Sequence, residues 1–209
     1  MLFRSFIVIG ARPGIGKTAW ALNIARTVAL QGSVLFFSLE MSAQELGERF
    51  ICALAGVRLR DLRARTIADE RIADVYKAAQ EAEKMGLQII YDPRTTLASL
   101  KSIARRHRAK GEIALIVVDY LQLMRSGGRE ESRWQEVSSI SRELKVLARE
   151  LEVPVLALSQ LNREVESHWE SGKPKLSQLR ESGAIEQDAD AVMLLSWPKD
   201  RQEIGRAHV

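Results

Sequence analysis

The junction between residues 6 and 18 constrains the fold of this chain more than any other feature. A short apolar run, Phe6–Ile9, leads into a glycine-containing segment that ends in Gly16-Lys17-Thr18, and a helical pattern follows. A strand that turns through small residues into a helix lets backbone N–H groups curl around phosphate oxygens, and the helix start adds partial positive charge. The junction therefore predicts a triphosphate-binding loop of the Walker A type.

Two side chains of this loop carry the predicted chemistry. Lys17 is expected to reach the β- and γ-phosphates, and the Thr18 hydroxyl to complete the shell of a Mg²⁺ ion. The formal pattern has glycine six residues before the lysine, where this chain has Ala11. We expect Gly10 and Gly14 to supply the backbone freedom that Ala11 lacks. The loop is thus predicted to bind ATP and Mg²⁺.

Strand and helix patterns alternate along the rest of the chain. The further predicted strands are short, rich in Val, Ile, Leu and Phe, and show little alternation, which is typical of buried strands. Strands that alternate with helices predict an α/β fold with a mostly parallel central β-sheet flanked by helices. The predicted strands after the first are Val34–Ser38, Gln88–Tyr91, Leu115–Val118, Val155–Ser159 and Ala191–Leu195, and the predicted helices are Lys17–Leu30, Ala43–Ala55, Asp69–Met85, Leu97–Ala109 and an apolar stripe from Trp134 to Leu151.

Composition sets the remaining limits. The chain has 209 residues, of which 46% are hydrophobic, enough for one sizeable core. Its net charge of +4, from 31 basic and 27 acidic residues, permits nucleic-acid binding without requiring it. The single cysteine, Cys52, excludes an internal disulfide and fits a reducing cytosol. Because no apolar run approaches the roughly 18 residues of a membrane span, we expect a cytoplasmic protein without a membrane segment.

Polar side chains follow three of the predicted strands. Asp119 ends an apolar strand in a Walker B pattern and is predicted to hold the Mg²⁺ shell, through water. Glu40 fits either the carboxylate that orients or deprotonates the attacking water, or a charge ahead of the helix whose capping box is Ser42 and Glu45. Gln160 places an amide at a third strand end, where it could sense a γ-phosphate.

Together these segments resemble the RecA-like motor domain of DnaB-type replicative DNA helicases. The resemblance covers about residues 6 to 198, in the expected order. Its most discriminating motif is the last one, because other RecA-like ATPases share only the phosphate loop and the Walker B strand, in looser form. The matching segments read ARP and GKT within 11–18, FSLEMS at 37–42, DYLQLM at 119–124, SQLNR at 159–163 and LRESGAIEQDAD at 179–190.

The resemblance implies a role for each residue of the nucleotide site. Glu40 becomes the catalytic carboxylate, Lys17 and Gln160 act with it, and Arg49 contacts the nucleotide. Thr18 and Asp119 are the metal ligands. The nucleotide-binding residues that it implies are Ala11, Arg12, Pro13, Gly14, Ile15, Gly16, Lys17, Thr18, Ala19, Arg49 and Gln160.

The resemblance also implies the partners. Arg180, Glu181 and Gly183 match a loop that grips the backbone of single-stranded DNA in the pore of a ring, where an arginine and a free backbone N–H suit phosphate. Such helicases are homo-hexamers that move 5′ to 3′ on one strand. Each ATP site receives an arginine finger from its neighbour. A primase and a helicase loader are the further partners that the family implies.

The ends of the chain lead to an expectation about its completeness. Residues 1–202 are predicted to form a motor domain truncated at both ends. Residues 203–209 match the translation of a widely used sequencing adapter, so we expect this tail to be non-native. The arginine finger would lie beyond Ala191–Leu195. The isolated polypeptide is therefore expected to bind ATP and Mg²⁺ but to hydrolyse ATP feebly.

Two other functions compete at this stage. A filament-forming recombinase of the RecA or RadA kind shares the fold, and segment 179–190 argues against it. An ATP-binding switch without turnover is opposed by Glu40 and Gln160. Outside the motifs, the basic run 105–110 is predicted to be a solvated helix face, and Trp134 to lie in the core. Trp169 either stacks on a base or covers its loop.

Overall fold

A central β-sheet organises the chain. The computed structural model describes residues 4–126, 132–161, 174–179 and 182–197, with the side chains of 178 and 182 left aside. Within this part lie six strands: β1 Phe6–Ala11, β2 Ser33–Ser38, β3 Leu87–Tyr91, β4 Ile113–Asp119, β5 Val155–Gln160 and β6 Ala191–Leu195. The α-helices are α1 Lys17–Ala29, α2 Ala43–Ala55, α3 Leu59–Ala64, α4 Asp69–Lys84, α5 Leu97–Lys110, α6 Arg133–Leu151 and α7 Ser182–Asp188.

The strands form one sheet in the order β3-β2-β4-β5-β1-β6, and every pairing is parallel. All six predicted strands are therefore confirmed, each within two residues of its expected ends. The mostly parallel α/β fold is confirmed as well. Parallel neighbours require a crossover between them, and the helices that alternate with the strands provide it.

Helices cover both faces of the sheet, so the strands are buried on both sides. One apolar cluster joins one side of the strands to α1 and α2, through residues such as Leu22 and Phe50. The other joins the opposite side to α5, α6 and α7, through residues such as Leu100, Leu144 and Ile185. This double burial explains why the strand sequences are continuously apolar. None of the helices in the described ranges is long and apolar enough to cross a bilayer.

Local signals set the helix ends. The predicted capping box at the start of α2 is confirmed: the Ser42 hydroxyl accepts from the Glu45 N–H, and the Glu45 carboxylate accepts from the Ser42 N–H. Helix α2 ends at Gly56, whose φ of 63° is the left-handed conformation that favours glycine at such a position. The chain direction into and out of α2 is therefore fixed by adjacent residues.

Two expectations about the helices were incomplete. The segment 163–186, in which no helix is predicted, contains a 3₁₀ turn at Leu176–Gln178 and the start of α7, while residues 162–173 lie outside the described ranges. Helix α3 also has no counterpart in the predicted pattern. Both helices are short and have few apolar positions, so their periodicity is too weak to detect.

The expectation that Trp134 lies in the core is wrong, because 53% of its surface is exposed. The apolar stripe of α6 is buried only from Val137 onward. Helix α6 has 19 residues, about 28 Å of helix. The strands on which it packs, β1 and β5, have six residues each, about 20 Å of strand. The first turn of α6 therefore projects beyond the edge of the sheet and carries Trp134 with it.

Truncation of α6 tests this account of the core. Leu144 is fully buried, whereas Val146 on the same helix is 45% exposed. We expect Leu144→Ala to lower the free energy of unfolding by about 2–5 kcal/mol, because it removes buried methyl groups and leaves a cavity. The matched change Val146→Ala should stay within about 0.5 kcal/mol. Urea unfolding followed by circular dichroism measures both, and equal effects would contradict the assignment of the buried face.

Candidate nucleotide-binding site

The predicted site residues meet at one edge of the sheet because parallel strands end on the same side. Ser38 of β2 lies opposite Asp119 of β4, so Glu40, two residues later, is near that carboxylate. Ala11 of β1 lies opposite Gln160 of β5, which places the start of the phosphate loop beside the predicted sensor. The chain segments that follow these strand ends form a single candidate site, in the crevice where ligands of open α/β sheets bind.

The loop between β1 and α1 turns through two left-handed glycines. Gly14 has φ 77° and Gly16 has φ 96°, values that a residue with a Cβ atom adopts only with strain. Gly16 is also the N-cap of α1, and no side chain caps it. The N–H groups of the first turn of α1 have no partner within the helix. They are the donors that a phosphate would accept from.

The structure corrects the reasoning about Ala11. Ala11 is the last residue of β1 and its φ is not positive, so no glycine is required there. Gly10, expected to supply flexibility, instead supplies space: a Cβ at this position would lie 2.7 Å from Leu179 Cδ2 and 2.8 Å from Leu194 Cδ2. The loop geometry therefore depends on Gly14 and Gly16 alone, and the departure from the formal pattern is harmless.

Lys17, Thr18 and Asp119 form the centre of the site. The Thr18 hydroxyl donates a hydrogen bond of 2.7 Å to Asp119 Oδ2. Lys17 Nζ lies 4.0 Å from Asp119 Oδ1 and 4.2 Å from the centre of the Tyr120 ring. Asp119 is fully buried, and its Oδ1 has no hydrogen-bond partner among the described residues. A buried carboxylate oxygen beside a hydroxyl oxygen suits a hard cation such as Mg²⁺.

Burial shifts the pKa of both charged groups at this centre toward the neutral form. It lowers the pKa of Lys17, against the opposing effects of the Asp119 and Glu40 carboxylates. It also raises the pKa of Asp119, against the opposing effects of Lys17 and of the Thr18 hydroxyl. For both groups, loss of water outweighs the attraction between them, as expected for a buried pair 4.0 Å apart. In the protein alone, the attraction between Lys17 and Asp119 therefore does not offset the cost of removing both groups from water. An anionic phosphate and a cation would supply the missing interactions.

Glu40 is displayed on a tight turn after β2. The Leu39 N–H donates to the Asp119 carbonyl at 2.8 Å, and the Ser38 hydroxyl donates to the Met41 carbonyl at 2.6 Å. Glu40 itself is exposed, yet its charge influences the pKa of both Lys17 and Asp119. The capping box of α2 is complete without it. The turn therefore presents an exposed carboxylate to the centre of the site.

The ends of β4 and β5 are tied together by one side chain. Gln122, in the 3₁₀ turn Leu121–Leu123, donates from Nε2 to Ser159 Oγ at 2.8 Å. Its Oε1 accepts from the Gln160 N–H at 3.1 Å. This bridge fixes the backbone from which the Gln160 side chain extends.

Arg49 lies on α2, beside the first turn of α1. It lines a groove of 260 Å³ together with Ala19, Asn23 and Arg26. Its Nε is buried and finds no acceptor in the described ranges. A buried guanidinium donor without a partner, next to Ala19, fits the predicted nucleotide contact.

The predicted DNA-binding residues are only partly placed. Arg180 and Glu181 lie outside the described residues, whereas Gly183 lies exposed in α7. In the basic run of α5, Arg105 donates to both carboxylate oxygens of Glu150, at 2.6 and 2.8 Å. This pairing supports the prediction that the run is a solvated face rather than a DNA site.

Sequence reasoning missed two residues of the site, Tyr120 and Gln122. Both lie in the segment that matches the family motif, but a spacing pattern says nothing about which strand end a side chain contacts. The ring of Tyr120 under Lys17 and the bridge made by Gln122 depend on how β4 and β5 pair, which only the fold specifies.

Comparison with known proteins identifies relatives of the chain. Residues 3–207 match the family described as the DnaB-like helicase C terminal domain. Over 192 residues, 90% of its length, the chain is 46% identical to the replicative DNA helicase DnaB of Geobacillus stearothermophilus and 44% identical to the replicative DNA helicase DnaC of Bacillus subtilis. It covers 42% of each relative and thus spans about two fifths of their length.

Two solved structures share the fold. One is described as an ATPase domain: it superposes with a TM-score of 0.87 at 36% identity, over 93% of this chain and 70% of that one. The other is a DnaB-like replicative helicase studied with primase. Its TM-score is 0.89 at 34% identity, over 98% of this chain and 50% of that one.

The hydrogen bond from Thr18 to Asp119 yields a test of the site electrostatics. Thr18→Val removes the only donor to a buried carboxylate among the described residues, so we expect the free energy of unfolding to fall by about 1–3 kcal/mol at neutral pH. Thr18→Ser keeps the hydroxyl, so this variant should retain most of the stability that Thr18→Val loses. Thermal unfolding without nucleotide measures the difference.

The same comparison has a defined pH dependence. The hydroxyl stabilises the ionised carboxylate, so its contribution is present above the raised pKa of Asp119 and is lost as the pH falls through it. The gap between Thr18→Val and the wild type should therefore narrow toward acid. A gap that widens or stays constant would contradict the electrostatic account.

Proposed function

The chain belongs to the family of DnaB-like helicase C-terminal domains, and from this premise we propose that it is the ATP-driven motor of a replicative DNA helicase. The observation that carries the proposal is the hydrogen bond from Thr18 to the buried carboxylate of Asp119 next to Lys17, with Glu40 and Gln160 at the same sheet edge. The named relatives, all replicative helicases, support it.

The loop 11–19 is proposed to bind the triphosphate of ATP. The N–H groups at the start of α1 would donate to phosphate oxygens, Lys17 would leave its contact with Asp119 for the β- and γ-phosphates, and Arg49 would contact the nucleotide from α2. Thr18 and Asp119 would hold Mg²⁺, the latter through water. A Mg²⁺ ion held there would neutralise negative charge that develops on the phosphate oxygens.

Glu40 is the proposed catalytic carboxylate. Its position on the turn after β2 allows it to orient a water molecule and accept its proton while the water oxygen bonds to the γ-phosphorus. The bond from that phosphorus to the bridging oxygen breaks, and ADP leaves. The Gln160 amide would detect the γ-phosphate, and its fixed backbone supports a sensing role.

The proposed assembly is a homo-hexameric ring with an ATP site between each pair of subunits. An arginine finger from the neighbour completes each site and typically contributes roughly 10³–10⁵ in rate. The ring would move 5′ to 3′ on single-stranded DNA, gripped by Arg180, Glu181 and Gly183. One structural relative interacts with primase, and we propose primase and a helicase loader as partners of this protein. The proposed location is the cytoplasm.

The two competing functions fit less well. A recombinase filament is disfavoured because the relatives named above are replicative helicases. A switch without turnover would not need Glu40, which is exposed and outside the cap of α2. The carboxylate is free for chemistry, and this favours hydrolysis.

The role of Glu40 is tested by its isosteric amide. In the full-length protein, Glu40→Gln should bind ATP with unchanged affinity while turnover falls at least about a hundredfold, since the amide cannot accept the proton. Glu112 is an exposed carboxylate at the opposite edge of the sheet, and Glu112→Gln is the matched control. Binding of a fluorescent ATP analogue and phosphate release give the two readouts. Turnover close to that of the wild type would reject the assignment.

The role of Arg180 is tested by its salt dependence. Because a phosphate contact releases a counterion, Arg180→Ala should weaken binding equally for different DNA sequences and lower the slope of log K against log salt by about 0.7. Arg106→Ala removes an exposed arginine from α5 and should change neither quantity. Fluorescence anisotropy with labelled oligonucleotides measures both. A sequence-dependent loss would indicate contact with bases instead.

A further inference from the structure

We propose that Trp134 is a stacking platform for a base of single-stranded DNA, in a groove between α6 and α7. The proposal rests on the function proposed above and adds a site to it. The DNA grip inferred from the motif contacts only the backbone. A stacked base would be a second, chemically different attachment at the same edge of the sheet.

The groove itself is the first observation. It has a volume of 640 Å³ and is lined by Trp134, Ser138 and Arg142 of α6 and by Gly183 and Gln187 of α7. Arg133 ties the start of α6 to the segment after β4, and α7 follows Leu179, which bridges to Leu161 at the end of β5. The groove therefore opens at the edge that also carries the nucleotide site. Gly183, a predicted DNA-binding residue, forms part of its wall.

The second observation is that Trp134 is exposed on a helix whose first turn is held in place. More than half of its surface is exposed. Its neighbour Arg133 donates to the carbonyls of Gln122 at 2.7 Å and Met124 at 3.0 Å, which fixes the start of α6 to the segment after β4. The Trp134 carbonyl accepts from the Ser138 hydroxyl at 2.8 Å. A large aromatic ring on an ordered helix loses little entropy when a base stacks on it.

The side chains that line the groove indicate which kind of ligand it can bind. Among the described residues that line it, Trp134 is the only large apolar side chain, so the groove lacks the row of apolar anchors that a docked helix requires. Arg142 is exposed and, within the described ranges, has no ion-pair partner, whereas the nearby Glu143 carboxylate is paired with Lys101. Glu143 itself lines the groove, and hydroxyl and amide groups together with Ala184 line the remaining walls. One flat apolar face, one cation without an ion-pair partner among the described residues, a carboxylate already paired with Lys101, and neutral polar groups together match a nucleotide of single-stranded DNA.

The test separates stacking from backbone contact. The full-length protein, with a non-hydrolysable ATP analogue, is titrated against an oligothymidylate and against an abasic oligomer of the same length, with anisotropy as the readout. We expect Trp134→Ala to weaken oligothymidylate binding roughly tenfold and to leave the affinity for the abasic oligomer unchanged. Trp134→Phe keeps an aromatic face and should restore most of the loss. Val146→Ala is the control on the same helix.

Each alternative outcome overturns the proposal. Equal losses on both oligomers, or no loss on either, would mean that Trp134 does not stack on a base. Loss of the hexamer in Trp134→Ala, measured by mass photometry, would assign the residue to a subunit contact. If the wild-type protein binds neither oligomer, the proposed helicase function fails together with the platform. If it binds both equally well, only the platform fails.

Discussion

The parallel pairing of β2, β4, β5 and β1 is the constraint on which the rest of the molecule depends. It brings four strand ends to one edge, so residues far apart in sequence become neighbours. The hydrogen bond between Thr18 and Asp119 spans 101 positions. The helices that alternate with the strands follow from the same constraint, because parallel neighbours need crossovers. Fold and site are thus consequences of one strand order.

The centre of the site illustrates how function costs stability. Asp119 is fully buried and Lys17 mostly so, and for each of them the loss of water outweighs the attraction to the other. An apolar pair of similar size would give a more stable sheet edge. In the proposed function a ligand supplies what the protein does not, a phosphate for Lys17 and a cation for Asp119.

The sequence predicted much of this arrangement, for physical reasons that differ between elements. Buried parallel strands are continuously apolar, so all six could be recognised. The loop before Lys17 was recognisable because glycine, lysine and threonine are each required by phosphate and metal. Helix α7 was missed because seven residues are too few to show a helical period. Trp134 was wrongly assigned to the core because the period of a helix does not show where the helix extends beyond the edge of the sheet. The contacts of Tyr120 and Gln122 depend on strand pairing, which no local pattern encodes.

The bridge made by Gln122 has a consequence for how the site meets its ligand. Because this side chain bonds to both Ser159 and the Gln160 backbone, the ends of β4 and β5 behave as one rigid unit. Their conformational entropy is lost when the chain folds, not when a nucleotide arrives. The spacing between the Asp119 carboxylate and the Gln160 backbone is consequently set before any ligand binds. A nucleotide bound as proposed would meet a spacing that the fold has already fixed.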